Sequence, residues 1–151
     1  MITGIVSSRT NTCMNRVFLD ADVILDLFVR REPFHLDALR LFSRLKRSRT
    51  PSFTSPVVAA NVHYLLSRIR SRRYALEKLK RLRRLVSIAP VTEEIVDAAI
   101  SSPHTDFEDS IQFQCAVANK MSVIITRNVR DFPRGTLRVA EPLEYLSSER
   151  S

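Results

Sequence analysis

The sequence contains few of the residues on which several common kinds of site depend. It has only two glycines in 151 residues, which excludes the glycine-rich loops that bind nucleotide phosphates. Its two cysteines and three histidines provide neither a disulfide framework nor a cluster of zinc ligands. No run approaches the roughly 18 apolar residues of a membrane-spanning helix. Any chemistry at a site in this chain must therefore depend on other groups.

The N-terminal segment, residues 1–13, is polar and lacks the charged start and apolar core of a signal peptide. We expect it to be a disordered arm or to precede a natural start at Met14. Residues 14–151 are then one domain, large enough to bury a hydrophobic core. Without a leader or a disulfide framework, the protein is predicted to be cytoplasmic.

What the sequence has in excess is positive charge. It contains 24 Lys and Arg against 16 Asp and Glu, which gives a net charge of +8 and an isoelectric point near 10.3. Such an excess favours polyanionic partners, with nucleic acid first and an acidic protein second.

Short apolar runs alternate with amphipathic segments along the chain. The predicted strands lie at 17–19, 53–54, 86–89, 123–125 and 137–139. The predicted helices lie at 22–28, 35–46, 56–69, 74–85, 93–100 and 106–120, and a closing turn begins at Pro142. This alternation predicts an α/β fold, a three-layer α/β/α sandwich with a mainly parallel, five-stranded sheet. In the helix at 106–120, the pattern places Ile111, Cys115 and Ala118 toward the core.

Oxygen-bearing side chains accompany four segments at the carboxyl edge of the predicted sheet, where the sites of parallel sheets lie. They are Asp20 and Asp22 after the first strand, Ser55 and Asn61 after the second, Asp106, Glu108 and Asp109 before the fourth, and Thr126, Asn128 and Asp131 after the fourth. Hard oxygen ligands suit Mg²⁺ or Mn²⁺, which keep several waters and are completed by substrate phosphate. The pattern therefore predicts a divalent metal site.

Simpler structural roles are open to several of these residues. Asp106 with Asp109 three positions later is close to a helix-capping box. Asp22 is predicted to support the site or to cap a helix, and Asp26 is predicted to pair with an arginine such as Arg30. Capping explains each carboxylate alone, but it does not explain why four segments converge.

Four motifs occur in the order VFLDADVILDLF, SPVVAANVHYLL, DFEDSIQFQCAVA and VIITRNVRDF. In spacing and order they resemble the PIN-domain family of ribonucleases, over residues 16–146. Many small members of that family are VapC-type toxins encoded with an antitoxin, and others act in RNA processing. The resemblance implies a five-stranded parallel sheet flanked by helices. It also implies Mg²⁺- or Mn²⁺-dependent hydrolysis of RNA that leaves 5′-phosphate and 3′-hydroxyl ends.

The resemblance assigns roles to individual residues. Asp20 matches the first acidic ligand of the family, Asp109 the third, and Asn128 or the nearby Asp131 the fourth. Asn61 stands where many members carry glutamate, so two of the usual carboxylates are amides in this chain.

On this basis the predicted metal ligands are Asp20, Asp109 and Asp131, and Asp106 joins them as a predicted catalytic residue. Thr126 and Ser55 are expected either to orient water or a phosphate oxygen or to have a strand-end or capping role. The supporting residues are Asp22, Asn61, Glu108, Thr126, Asn128 and Ser55.

The basic segment RSRRYALEKLKRLRRL supplies the candidate RNA contacts, although a solvated cationic helix face is a competing interpretation. Tyr64 and Tyr74 either stack on bases or belong to the core or an interface. The expected partners are RNA, an antitoxin protein and a second copy of the chain, without a membrane. The residues predicted to contact RNA phosphates are Arg72, Arg73, Lys80, Arg83 and Arg84.

Two other functions compete with a ribonuclease. The sequence DADVI from Asp20 also fits the start of haloacid-dehalogenase-type phosphatases, in which the first aspartate is the nucleophile. Those enzymes need an acidic pair after a later strand, where this chain has Thr-Arg-Asn at 126–128. The other alternative is a PIN-like module that holds RNA or a protein without turnover, which Asn61 and Asn128 favour.

Overall fold

The computed structural model describes residues 15–103, 106–135 and 137–148. One sheet in these residues contains the strands β1 (Val17–Leu19), β2 (Ser52–Thr54), β3 (Ser87–Ile88), β4 (Val123–Ile125) and β5 (Arg138–Ala140). Their order across the sheet is β3-β2-β1-β4-β5, and every neighbouring pair is parallel. The predicted α/β fold with a five-stranded sheet is confirmed.

Seven α-helices flank the sheet in the described part of the chain. They are α1 (Ala21–Phe28), α2 (His35–Ser48), α3 (Pro56–Ile69), α4 (Arg72–Leu85), α5 (Glu93–Ile100), α6 (Phe107–Ala118) and α7 (Pro142–Ser148). Hydroxyl side chains fix where several helices begin: Ser55 caps α3, Ser71 caps α4 and Thr92 caps α5, each by accepting a hydrogen bond from a backbone N–H of the first turn. Each of the six predicted helices begins and ends within two residues of the observed one. The seventh helix, after β5, was not predicted as a helix.

The two central strands are apolar because helices cover both faces of the sheet. Every residue of β1 is fully buried, and so are Ile124 and Ile125 of β4. Cys115 of α6 is buried in the same core, as predicted, and burial raises the pKa of its thiol to about 11.

The strand order reverses between β1 and β4. The chain passes from β1 to β2 and β3 on one side and then returns to β4 on the other side of β1. At such a switch point the connections leave neighbouring strands in opposite directions and open a crevice at the carboxyl edge. Leu19 pairs with Ile125, so the next residues, Asp20 and Thr126, lie side by side at this crevice.

Three details of the predicted fold are wrong. Ala118 is exposed, because the buried stripe of α6 continues through Cys115 to Ala116 and the helix ends beyond it. Strand β5 lies one residue later than predicted, at 138–140, since it pairs Val139 with Ile124. The segment after Pro142 is a helix instead of a turn, and it packs against α2.

The prediction of a disordered arm or an alternative start concerns residues 1–13 and Met14, which lie outside the described residues. Within the described residues, none of the helices has the length and apolar character needed to span a bilayer.

Replacement of Ile124 by alanine is expected to remove about 2–5 kcal/mol from the free energy of unfolding, because it leaves a cavity under the centre of the sheet. The measurement is urea unfolding followed by circular dichroism. Leu143→Ala is the control, since this leucine is 55% exposed and its truncation should change stability by less than about 0.5 kcal/mol. Equal effects of the two variants would contradict the assignment of the core.

Candidate active site

Asp20 stands at the end of β1 and caps helix α1. Its Oδ1 accepts a hydrogen bond from the backbone N–H of Ala21 at 2.8 Å, and its Oδ2 accepts one from the hydroxyl of Thr126 at 2.9 Å. The side chain is almost fully buried, and burial raises the pKa of the carboxyl to about 6. Asp20 therefore holds its position by two directed hydrogen bonds while its charge is poorly solvated.

Asp22 lies beside Asp20 and is fixed by the segment after β4. Its Oδ2 accepts hydrogen bonds from the Thr126 hydroxyl (3.3 Å), the Arg127 backbone N–H (3.1 Å) and the Asn128 side-chain amide (3.0 Å). Its Oδ1 is buried and has no hydrogen-bond partner among the described residues. Burial, and next the charge of Asp20, raises the pKa of Asp22 to about 6. Asp20, and not Asp22, is therefore the cap of α1, and the Asp22 carboxylate is held instead by the segment after β4.

Asp26 pairs with an arginine, as predicted, but the partner is Arg127 and not Arg30. The Arg127 guanidinium donates to both carboxylate oxygens of Asp26, at 2.6 and 3.3 Å, and stacks on Phe34 with 4.0 Å between its Cζ and the ring centroid. Asp26 is 1% exposed, whereas Arg30 is exposed and adopts a left-handed backbone conformation past the end of α1. The buried pair ties the segment after β4 to helix α1.

Asp109 approaches the same crevice from the first turn of α6. Burial raises the pKa of this carboxyl to about 7, with further contributions from the charges of Asp106, Asp131 and Glu108 in that order. Asp106 is the cap of α6, and its Oδ1 accepts the Asp109 backbone N–H at 3.0 Å. The predicted capping role of Asp106 is thus present.

The remaining predicted residues brace helix α3 against α6. The Asn61 side-chain amide donates to a Glu108 carboxylate oxygen. Ser55 caps α3 and also donates to Oε1 of Gln112 at 2.6 Å, in a buried contact. The contact of Gln112 with Ser55 and the ion pair of Arg127 with Asp26 were not predicted from the sequence. The signals that could have found them were the helical spacing of Gln112 from Asp109 and the position of Arg127 between two predicted site residues.

The donor chemistry fits a hard divalent cation. Across 15–103, 106–135 and 137–148, no three acidic, histidine or cysteine side chains are close enough to form a complete set of metal ligands. Mg²⁺, however, commonly takes one or two carboxylates and completes its shell with water and substrate phosphate. Asp20 and Asp109 are oxygen donors of this kind, and the unpartnered Oδ1 of Asp22 is a further one. Two carboxylates of this site, with water and substrate phosphate completing the shell, would thus fit the coordination that Mg²⁺ or Mn²⁺ prefers.

The predicted RNA-contact residues are spread along α4, and all five are exposed. Arg84 lies beside Pro51 and Ser52, where β2 begins, and this is the opposite edge of the sheet from Asp20. Arg83 donates to the carbonyl oxygen of Val86, just before β3. The C-terminal part of α4 is thus directed away from the carboxylates.

Removal of Arg127 should destabilise the fold, because it leaves the Asp26 carboxylate buried without a counter-charge. We expect Arg127→Met to lower the free energy of unfolding by about 3–5 kcal/mol. The double variant Asp26→Leu/Arg127→Met removes both charges and should be more stable than the single variant. Urea unfolding of both proteins provides the comparison. A double variant no more stable than Arg127→Met would show that the pair does not act through its charges.

Comparisons with known proteins show which family and which relatives this chain resembles. A family model described as PIN domain matches residues 16–130. Ribonuclease VapC1 of Aquifex aeolicus (strain VF5) is 26% identical over 118 residues, which cover 75% of this chain and 81% of that protein.

Similar solved structures agree with this match at the level of the fold. The DNA-bound VapBC of Salmonella typhimurium has a TM-score of 0.65 and 14% identity, with 85% of this chain and 99% of that chain covered. FitAcB of Neisseria gonorrhoeae has a TM-score of 0.63 and 17% identity, covering 84% and 98%. Mycobacterium tuberculosis VapC20, described as a sarcin-ricin loop cleaving toxin, has a TM-score of 0.57 and 22% identity, covering 72% and 86%. With the family model matching most of its length, the chain belongs to the PIN domain family.

Proposed function

We propose that this protein is a metal-dependent endoribonuclease that hydrolyses RNA phosphodiester bonds and serves as the toxin of a toxin–antitoxin pair. Membership of the PIN domain family and the similarity to a protein named ribonuclease VapC1 support the activity. The solved structures similar to it include toxin–antitoxin complexes, which supports an antitoxin as a partner. The family match also removes the support for a haloacid-dehalogenase-type phosphatase.

The observation that carries the proposal is the pair of carboxylates, Asp20 and Asp22, which share the Thr126 hydroxyl at the switch point of the sheet, with the charge of Asp109 acting on Asp20 from the start of α6. These carboxylates come from two different helix starts, and their charges raise one another's pKa. None of the lysine or arginine side chains in the described ranges forms a salt bridge with any of the three. A divalent cation would supply the missing positive charge.

In the proposed mechanism, Asp20, Asp109 and Asp131 would hold the metal, Mg²⁺ or Mn²⁺, together with water and substrate phosphate. When bound, such an ion neutralises charge on the scissile phosphate and lowers the pKa of a water for attack. The protein's part is positional: the Thr126 hydroxyl fixes the Asp20 carboxylate, and the Asn128 amide and Arg127 backbone fix Asp22. This prior fixing means that the ligands need little reorganisation when the substrate arrives.

The amides at positions 61 and 128 favour the second candidate, a PIN domain that binds RNA or a protein without turnover. Each amide donates a hydrogen bond to a carboxylate, Asn61 to Glu108 and Asn128 to Asp22. In the proposed enzyme they orient acids instead of adding to the metal-binding charge. Cleavage assays separate the two functions.

The direct test is cleavage of labelled single-stranded RNA in Mn²⁺, with and without EDTA. Asp20→Asn should lower the rate by more than about 100-fold, since loss of residues that only support a metal ligand already costs 10–100-fold. Asp97→Asn, an exposed aspartate on α5, is the matched control and should cleave at the wild-type rate.

The other outcomes are also informative. RNA that wild-type protein binds and never cuts would favour the binding module. Hydrolysis of a generic phosphomonoester with RNA left intact would refute the ribonuclease.

The raised pKa of Asp20, about 6 against 3.8, makes a second prediction for the metal-free protein. The folded state binds the proton more tightly than the unfolded state, so this stabilisation is complete below pH 4 and is lost as the pH rises through 6. Asn is neutral: its Oδ1 can accept the Ala21 N–H, and its amide can donate to the Thr126 hydroxyl oxygen in place of the bond that Asp20 accepts. Asp20→Asn should therefore melt close to wild type at pH 5 and several degrees higher at pH 8 in EDTA.

Melting curves at the two pH values check this, with Asp97→Asn as the control that should show no such difference. Mn²⁺ should raise the wild-type melting temperature more at pH 8 than at pH 5, because metal ligands must lose their protons. A melting temperature of Asp20→Asn below that of wild type at pH 8 would contradict the burial of an unneutralised charge.

A further inference from the structure

A second concentration of charge lies at the start of helix α4, and it is positive. A concave pocket of about 330 Å³ is lined by Arg70, Ser71, Arg73, Tyr74, Glu77, Lys78 and Arg81. We call this group of residues the basic pocket. It contains four cationic side chains and one acidic side chain, Glu77. Glu77 forms a weak, exposed ion pair with Arg73, with 4.0 Å between Oε2 and Nε.

Aromatic rings hold two of the pocket's cations in place. The Arg70 guanidinium lies 5.2 Å from the centroid of the Tyr74 ring, and the Lys78 ammonium lies 5.3 Å from it. The same ammonium is 5.7 Å from the ring of Phe28, at the end of α1. The Tyr74 hydroxyl donates to the Phe28 carbonyl oxygen at 3.4 Å and anchors its own ring. The cations are therefore positioned by the fold and are not simply scattered over a solvated face.

The cations of the basic pocket repel one another. The pKa of Lys78 is lowered first by partial burial and then by the charges of Arg81, Arg30 and Arg70. Positive groups brought together in this way gain most from an anion that bonds to several of them at once.

Helix α1 connects the basic pocket to the carboxylates. Asp20 caps its first turn, and Phe28, its last residue, contacts Lys78 and Tyr74 of the pocket. Eight helical residues span about 12 Å. A single nucleic-acid strand can span this separation with a few nucleotides over the surface beside α1, whose own residues are buried or half-buried.

From this geometry we propose that the basic pocket binds a backbone phosphate of the RNA substrate a few nucleotides from the scissile bond. The assignment rests on the proposed function for its substrate. The pocket recognises phosphate rather than a base, because Arg70 and Lys78 already lie against the Tyr74 ring. The two cations thus compete with any base for stacking on Tyr74, one of the roles considered for it.

RNA fits the basic pocket better than a protein partner does. The pocket lining contains no aliphatic side chain, whereas the centre of a protein interface is apolar. The groove between α2 and α7 has that character instead, with Leu39, Leu143 and Leu146 beside three arginines. An acidic and apolar polypeptide suits the α2–α7 groove, and a bare phosphate suits the basic pocket.

The test measures binding of a fluorescein-labelled single-stranded RNA in EDTA, over a series of KCl concentrations. Wild type is compared with Lys78→Gln/Arg81→Gln. Loss of the one phosphate contact that the pocket makes should reduce the slope of log K against log[KCl] by about 0.7 in the double variant. The matched control is Arg44→Gln/Arg47→Gln on α2, which makes the same charge change in the α2–α7 groove and should leave the slope unchanged.

Stability distinguishes loss of a contact from loss of the fold. Because the cations repel one another, Lys78→Gln/Arg81→Gln should melt at or above the wild-type temperature. If the double variant folds poorly, Arg81→Gln alone provides the test: it keeps both ring contacts of Lys78 and should reduce the slope by at most about 0.7.

An unchanged slope in the pocket variants would overturn the proposal, as would an equal loss in the α2 control. If Lys80→Gln/Arg84→Gln reduces the salt slope more than the pocket variants do, the phosphate contact belongs to these two exposed residues of α4, which lie outside the basic pocket. If the pocket variants bind RNA normally but lose binding of polyglutamate, the pocket serves a protein.

The binding test is independent of catalysis. If wild type binds RNA through the basic pocket and never cleaves it in Mn²⁺, the assignment of the pocket stands and the proposed ribonuclease fails. If wild type cleaves RNA and the pocket variants keep the full salt slope, only the pocket assignment fails.

Discussion

The pairing of β1 with β4 is the constraint on which the site depends. Because Leu19 lies opposite Ile125, Asp20 and Thr126 leave the sheet side by side, and one hydroxyl reaches the carboxylates of both Asp20 and Asp22. A slip of one residue in this register would turn Thr126 to the opposite face of the sheet and leave two buried acids without that donor. The fully buried residues of both strands prevent such a slip, so the apolar core fixes the polar site.

The charged groups of the site destabilise the fold. Three carboxylates with raised pKa values lie close together, and one oxygen of Asp22 is buried without a hydrogen-bond partner among the described residues. The Asp26–Arg127 pair counteracts this locally, since it clamps the segment after β4 onto α1 and so keeps the hydrogen-bond donors of that segment against Asp20 and Asp22. Polar groups arranged against folding in this way are typical of sites that gain their full complement of interactions only with a ligand.

Local signals made most of the fold and part of the site predictable from the sequence. The uniformly apolar runs before Asp20 and Thr126 marked the central strands, and Ser55 and Thr92 marked helix starts. Non-local contacts were not predictable in this way. Asp26 has Arg30 within one helical turn, yet its partner is Arg127, 101 residues away in the sequence, and only the register of β1 and β4 brings the two together. The sequence predicts a turn at α7 because seven residues show little periodicity. The packing of α7 against α2 is a tertiary contact, which local signals do not reveal.

The amides at positions 61 and 128 follow from the same electrostatics. Asp109 already feels the charges of Asp106, Asp131, Glu108 and Asp22, so another carboxylate at either position would add repulsion where no described arginine or lysine forms a salt bridge. An amide instead donates a hydrogen bond to an existing acid and holds it in place. Under the proposed function, the two amides lower the affinity for the metal because they add no charge, but they hold the remaining carboxylates in fixed positions. Part of the substrate's binding energy must then come from elsewhere, and the basic pocket at the far end of α1 is the part of the structure suited to supply it.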